Sequence, residues 1–197
     1  MMRSVLLALL LSVTVVSARA ATPVREQIAY EDVFAGFKFP QLLGAFRFQN
    51  RVQYQHVDLG YGLNYVETTG ATATIVVYDL NRRAITNGTL DANVIEEFGK
   101  LNDAVATMAQ QTGYRSVTRI EVPQLSKAWL QIAHELVRPD GRKALSYSFL
   151  RGQHGKFVKI RITTSSQGTF ARLPIFLLGV SRAIGMLSED PQEERIK

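Results

Sequence analysis

The sequence predicts an α+β domain: an antiparallel sheet of six or seven strands packed by two main helices. Three observations carry this prediction. Between residues 90 and 111, Val94, Phe98, Leu101, Val105 and Met108 recur in steps of four, three, four and three, the stripe of an amphipathic helix. Every other strong signal has period two, the mark of strands with one dry face. Tight-turn signals join those strands into a meander.

The helix is expected over residues 91–111. Leu90, Ile95 and Ala109 flank its stripe, while Glu96, Glu97, Lys100, Asp103, Thr107 and Gln110 fall on the side expected to be wet. Asp91 or Thr89 suits the N-cap, and Gly113 suits a left-handed C-cap.

Taken in order, the chain begins with a signal-peptide pattern. Arg3 supplies the positive start, an apolar run fills residues 5–16, and Ala18-Arg19-Ala20 precedes a cut at Ala21. A run of twelve residues, broken only by Ser12 and Thr14, falls short of the about 20 that span a bilayer. The expectation is an exported chain, periplasmic or secreted, with no transmembrane segment once mature. Residues 21–32 are polar and read as a flexible lead-in, residues 33–188 as one α+β domain, and residues 189–197 as a charged tail.

Residues 33–39 end at Pro40 and read as an edge strand. Residues 41–44 read as a turn. In residues 46–56, Phe46, Phe48, Val52 and Tyr54 are expected on one face, with Asn50 interrupting them as a bulge would. A short strand follows over residues 62–67. The run Ile75-Val76-Val77-Tyr78 inside residues 72–80 suits a central strand covered on both faces. After the helix come strands at 115–122, 128–137, 143–151 and 156–164. The turns Arg138-Pro139-Asp140-Gly141 and Gly152-Gln153-His154-Gly155 join the last three. Val158, Ile160 and Ile162 are expected inward, and Phe157, Lys159, Arg161 and Thr163 outward. A second helix over 172–187, with Pro174 in its first turn, is apolar nearly all round, so it is buried on more than one side or meets a partner.

Composition narrows function by exclusion. There are no cysteines, which removes disulfides, thiolate metal sites and a cysteine nucleophile. The 23 basic residues less Arg3 and Arg19 leave 21 against 17 acids, a mature charge of +4. That mild excess is not a nucleic-acid signature, and no nucleic acid is expected. The charge is polarised, however: residues 138–172 hold eight Lys or Arg and only Asp140 as an acid.

The chemistry-bearing patterns are weak. His134-Glu135 lacks the second histidine of a zinc motif, with Arg138 standing four residues on. Gly179-Val180-Ser181-Arg182-Ala183 echoes a nucleophile elbow, but Ser181 falls in a helix. His56 and Asp58 sit in a turn. Asn87-Gly88-Thr89 matches a glycosylation acceptor that matters only in a eukaryotic secretory route. No cofactor or metal is implied.

The positive hint is the basic meander. Arg151, His154, Lys156, Lys159 and Arg161 are the candidate ligand-binding residues, with Arg142, Lys143 and Arg172 near, and Phe157 beside Lys159 and Arg161. The leading expectation is a non-catalytic exported envelope protein that binds an anionic envelope component or a protein partner. The alternatives are a small secreted hydrolase using His56 or His154, and an assembly subunit docking through residues 173–187.

On Pro40, Leu43 and Gly44, on Leu59-Gly60-Tyr61-Gly62, on Ile75-Val76-Val77-Tyr78-Asp79 and on residues 157–163, the sequence is similar to a group of uncharacterised small secreted proteins of Gram-negative bacteria. The resemblance implies export and brings no catalytic residues. The order strands, helix, strands, helix also resembles PsbP-like α/β/α sandwiches, a likeness of fold that implies no function.

Overall fold

The computed structural model describes residues 27–187, except for the side chains of Asn102, Ala106, Met108, Ala109, Gln110 and Gln167. The expected signal peptide and the tail at 189–197 lie outside the described residues.

The fold is α+β with a large antiparallel sheet and two helices, and the sheet has eight strands where six or seven were expected. A hairpin of β1 (Ile28–Asp32) and β2 (Phe37–Pro40) stands apart from it. The main sheet holds β3 (Leu42–Leu43), β4 (Phe46–Gln53), β5 (Tyr61–Glu67) and β6 (Thr72–Tyr78) from the first half of the chain. The second half supplies β7 (Ser116–Ile120), β8 (Leu130–Val137), β9 (Lys143–Gln153) and β10 (Lys156–Thr164). Their order is β3-β4-β5-β6-β10-β9-β8-β7, so two meanders meet along β6 and β10. The extra strand is β3, two residues that were expected to be a turn. The expected lead-in ends in β1, and the edge strand expected at 33–39 belongs to the hairpin.

Helix α1 (Ala92–Gln111) joins the meanders, and α2 (Leu173–Ala183) follows a 3-10 turn at Gln167–Arg172. Asp91 caps α1: Oδ1 accepts from the N–H groups of Asn93 (2.7 Å) and Val94 (3.3 Å). Its Oδ2 accepts from the N–H (3.0 Å) and the hydroxyl (2.7 Å) of Thr86. These bonds, those from Thr86 foremost, hold the carboxyl down to about 2. Gly113 ends the helix at φ 75°.

The helices lie on opposite faces of the sheet and over opposite halves of it. Helix α1 packs on β7, β8 and β9, with Val94, Leu101 and Val105 buried and Phe98 half-buried. Helix α2 packs on β2 and β3, burying Leu173, Phe176, Leu177 and Val180. On the α2 face the strands deliver Leu63, Tyr65, Ile75, Tyr147, Phe149, Val158, Ile160 and Ile162, all buried with the hairpin's Phe37 and Phe39. Under α1 lie Leu150, Phe157, Leu136 and Ala144. Phe157 is fully buried, against the expectation that it faces outward.

This offset leaves the α1 face of β4, β5 and most of β6 without a helix, since only Tyr78 at the end of β6 is buried against Glu97 of α1. Ala73, Ile75 and Val77 of β6 are buried, but on its other face Thr72 is exposed and Thr74 and Val76 are half-buried. β6 is therefore central in the sheet without being covered on both faces. β4 adds to the open face. A bulge between Phe48 and Asn50 switches the strand over, so Phe48 pairs with Tyr65 while Val52 pairs with Gly62 on the opposite face. The expected single face of Phe46, Phe48, Val52 and Tyr54 is split at that point.

Candidate functional site

The open ledge beside α1 forms a cleft whose floor is the seam of β6 and β10. Side chains two apart on a strand share a face, so register fixes the floor. Thr72 pairs with Thr163, Thr74 with Arg161, Val76 with Lys159, and Tyr78 with Phe157. Read along the seam, the floor passes from hydroxyls and guanidinium to apolar and aromatic groups.

The polar half is a cleft of about 510 Å³, lined by Thr72, Thr74, Thr163, Tyr114, Arg138 and Arg161 among others. No carboxylate lies among the described residues lining it. Arg161 donates from Nε to the buried Ser146 hydroxyl at 3.2 Å, which fixes the plane of its guanidinium. Burial pushes this guanidinium below its usual value, and Tyr114 opposes that. The row continues over the exposed sheet. Thr74 donates to Asn64 Oδ1 at 2.9 Å, and Asn64 donates to Asn50 Oδ1 at 2.7 Å. Behind Arg161, His134 is 1% exposed, across from Ser146 of β9 and Arg119 of β7. Its imidazole is pushed below the ordinary value by burial, and by Arg119 and Arg161.

The other half is a cleft of about 260 Å³ lined by Tyr54, Leu59, Val76, Leu80, Tyr78, Glu97 and Lys159. Tyr54 lies flat across the sheet because Gly62 has no side chain: a Cβ there would come within 2.8 Å of Tyr54 Oη. Lys159 Nζ stands 5.1 Å from the centre of the Tyr78 ring. The Tyr78 hydroxyl donates to Glu97 Oε1 at 2.8 Å, and Lys100 Nζ lies 3.8 Å from Glu97 Oε2. Burial and this carboxylate hold Tyr78 well above the ordinary phenol range. Burial pushes Lys159 down, against the pull of Glu97. Glu97, expected on the wet side of α1, is only 8% exposed because it turns into this hydrogen bond.

Of the five candidate residues, the structure brings Lys159 and Arg161 into the cleft and directs the others elsewhere. Arg151 pairs with Val158, which sets it on the α2 face. It is buried over Trp129, 5.6 Å from the ring centre, and donates to the Ala128 carbonyl and Gln153 Oε1, each at 3.0 Å. His154 stacks on Phe37, with Nδ1 2.8 Å from the Ala35 carbonyl, and its N–H donates to Asn87 Oδ1 at 2.7 Å. Lys156 donates to Asp79 Oδ2 at 2.6 Å. His56 is exposed beside the 3-10 turn at Val57–Leu59. Ser181 donates to the Leu177 carbonyl at 2.8 Å and accepts from Trp129 Nε1 at 3.3 Å.

No family model matches the chain, and no curated protein does. Among the described residues no three His, Cys, Asp or Glu side chains converge as cation ligands, and no helix is long and apolar enough to cross a membrane. What converges is cationic and hydroxylic, a donor set for oxyanions.

Arg138, Tyr114 and the threonines were not among the sequence candidates. The alternation Thr72, Thr74 within a β-branched run signalled a wet stripe. Arg138 reaches the cleft through the β8–β9 turn, and nothing local marks it.

Proposed function

We propose that this is an exported, non-catalytic binding protein of the bacterial envelope that holds an anionic group in the threonine-lined half of the cleft. The leader pattern in residues 1–20 and the resemblance to small secreted proteins support export. One observation carries the ligand class: Arg161 and Arg138 line the same cleft as four threonines and Tyr114, and no carboxylate lies among the described lining residues. Arg161 is the stronger anchor, because Ser146 holds it and burial weakens its competing hydration. Arg138 is exposed and acts by closing on a bound anion.

Titration calorimetry with inorganic phosphate at low and high salt tests this reading. Binding is expected, with affinity falling as salt rises. Arg161→Gln is expected to lower it at least tenfold, the scale of one charge-assisted contact, and Arg138→Gln less. Arg151→Gln, on the other face, leaves it unchanged. Equal binding by the wild type and Arg161→Gln removes the proposed site.

A second reading, assembly through the region of α2, is favoured by one observation: Ile175 (60% exposed), Leu178 (43%) and Leu42 (47%) are large apolar residues left in solvent. It predicts a dimer or larger species on sizing, and a monomer at high concentration ends it for self-association.

A further inference from the structure

The two halves of the cleft share one floor, and the chemistry changes sharply between them. Arg161 and Thr74 occupy one register position, Lys159 and Val76 the next, and Phe157 and Tyr78 the next again. At about 3.4 Å per residue, the polar anchor is roughly 14 Å from the aromatic end. At that end Leu59 is 39% exposed and Val76 and Leu80 are half-buried. Apolar groups left this open beside fixed cations are what the anchored tail of an amphiphile covers.

The charges also give the cleft a direction. The guanidiniums stand at one end, while the buried Glu97 carboxylate, engaged by Tyr78 and Lys100, stands at the other. A second anionic group is disfavoured beside Glu97, and an apolar chain is not. Lys159 lies at the junction, its ammonium 5.1 Å from the centre of the Tyr78 ring and one register position from Arg161. We infer that the ligand is a single-chain amphiphile: an anionic phosphate-type head against Arg161 and Arg138, and an alkyl chain running over Val76 toward Leu59, Leu80 and Tyr54. This deepens the anion-binding reading and rests on it for the position of the head.

Calorimetry of the protein with inorganic phosphate, methyl phosphate and octyl phosphate, below the micellar concentration, separates the two. Each methylene taken out of water is worth about fourfold in affinity; with about half of the seven added methylenes covered on this open ledge, octyl phosphate should bind on the order of a hundredfold tighter than methyl phosphate. Leu59→Ser at an exposed turn, combined with Val76→Thr, which keeps the shape of a half-buried strand residue, should remove most of that gain. Inorganic phosphate binding should stay as it was. Arg161→Gln should weaken all three ligands by similar factors. The inference is overturned if octyl and methyl phosphate bind equally, or if the gain survives the Leu59/Val76 double variant. If the chain gain is present and sensitive to that double variant but Arg161→Gln leaves the affinity for all three ligands unchanged, the apolar half stands and the anion site falls. If none of the three ligands binds, both fall.

Discussion

The two faces of the sheet are built from the same strands, yet they do opposite things. On the α2 face, alternate residues of β5, β6, β9 and β10 are Leu63, Tyr65, Ile75, Val77, Tyr147, Phe149, Val158, Ile160 and Ile162, every one buried. On the α1 face the intervening positions include Asn64, Thr72, Thr74, Ser146, Ser148, Lys159, Arg161 and Thr163. Ser146 and Ser148 are as buried as any core residue there. Hydroxyls and cations held out of water cost free energy unless something is gained by them. The contrast teaches that apolar packing is concentrated on one face, and the polar row in which recognition is proposed lies on the other. The helix offset, which covers the first and half-opens the second, is what separates them.

The comparison breaks most visibly if the faces respond alike to mutation. Phe149→Ala empties a fully buried position on the α2 face and should cost about 3–5 kcal/mol in urea unfolding. A smaller effect comes from the buried charge at the end of β5. Glu67, 2% exposed, pairs with Arg172 Nε at 2.5 Å and accepts from the Thr69 hydroxyl at 2.7 Å. Glu67→Gln should cost about 1–2 kcal/mol, less than a fully buried pair because Arg172 is 40% exposed and rehydrates. Neither change should alter phosphate affinity more than twofold in protein that remains folded. A large loss of binding from either would mean that the two faces are not separable.

His134 sharpens the comparison through pH. Its imidazole is held below the ordinary value, by burial first and by Arg119 and Arg161 next. As pH falls, the unfolded chain, titrating at about 6.5, therefore takes up a proton before the fold does. Its contribution is complete above that pH and is lost as pH falls below it. Unfolding free energy should decline from about pH 6.5 toward pH 5 with a slope no steeper than about 1.4 kcal/mol per pH unit. Asp91 and Glu96, each held at about 2, act in a separate window, below about pH 4. His134→Gln should flatten the upper window and leave the lower one. An unchanged upper slope would show that His134 is not the group responsible.

How far the sequence foretold these faces follows from what periodicity can carry. The α1 stripe, the Asp91 cap, Gly113 and the β8–β9–β10 meander were legible, because helix phase, caps and tight turns are local. β3 was not, since two residues have no period. The β4 bulge was signalled by Asn50, but its consequence, Val52 on the far face, depends on pairing with Gly62. Ile75-Val76-Val77-Tyr78 announced a strand and not what covers it, for the offset of α1 is a tertiary fact. The pairing of Lys159 and Arg161 was legible from alternation alone. Parity across the two-residue turn at His154 and Gly155 already places Arg151 opposite Val158, away from Lys159. Arg138 and Tyr114 reach the cleft through the shape of the sheet, and no spacing in the chain encodes that.

The smallest expected effect is the most discriminating. Thr74 sits in the row with Arg161, and its hydroxyl donates to Asn64 Oδ1 at 2.9 Å. Thr74→Val keeps the shape and the β-branch and removes only the hydroxyl. Asn64 is half-buried and rehydrates, so stability should move by no more than about 0.5 kcal/mol. A purely structural face would register nothing else. On a recognition face the Thr74 hydroxyl turns from Asn64 to the bound anion, so its loss should lower phosphate affinity about threefold to tenfold, the scale of one neutral hydrogen bond. Thr118→Val, on edge strand β7 and outside the described lining of the cleft, is the matched control and should leave affinity unchanged. If both variants bind phosphate like the wild type, the polar row is only the solvated side of a sheet. If Thr74→Val instead costs more than about 1.5 kcal/mol, the row belongs to the architecture, and the division of labour between the faces is wrong.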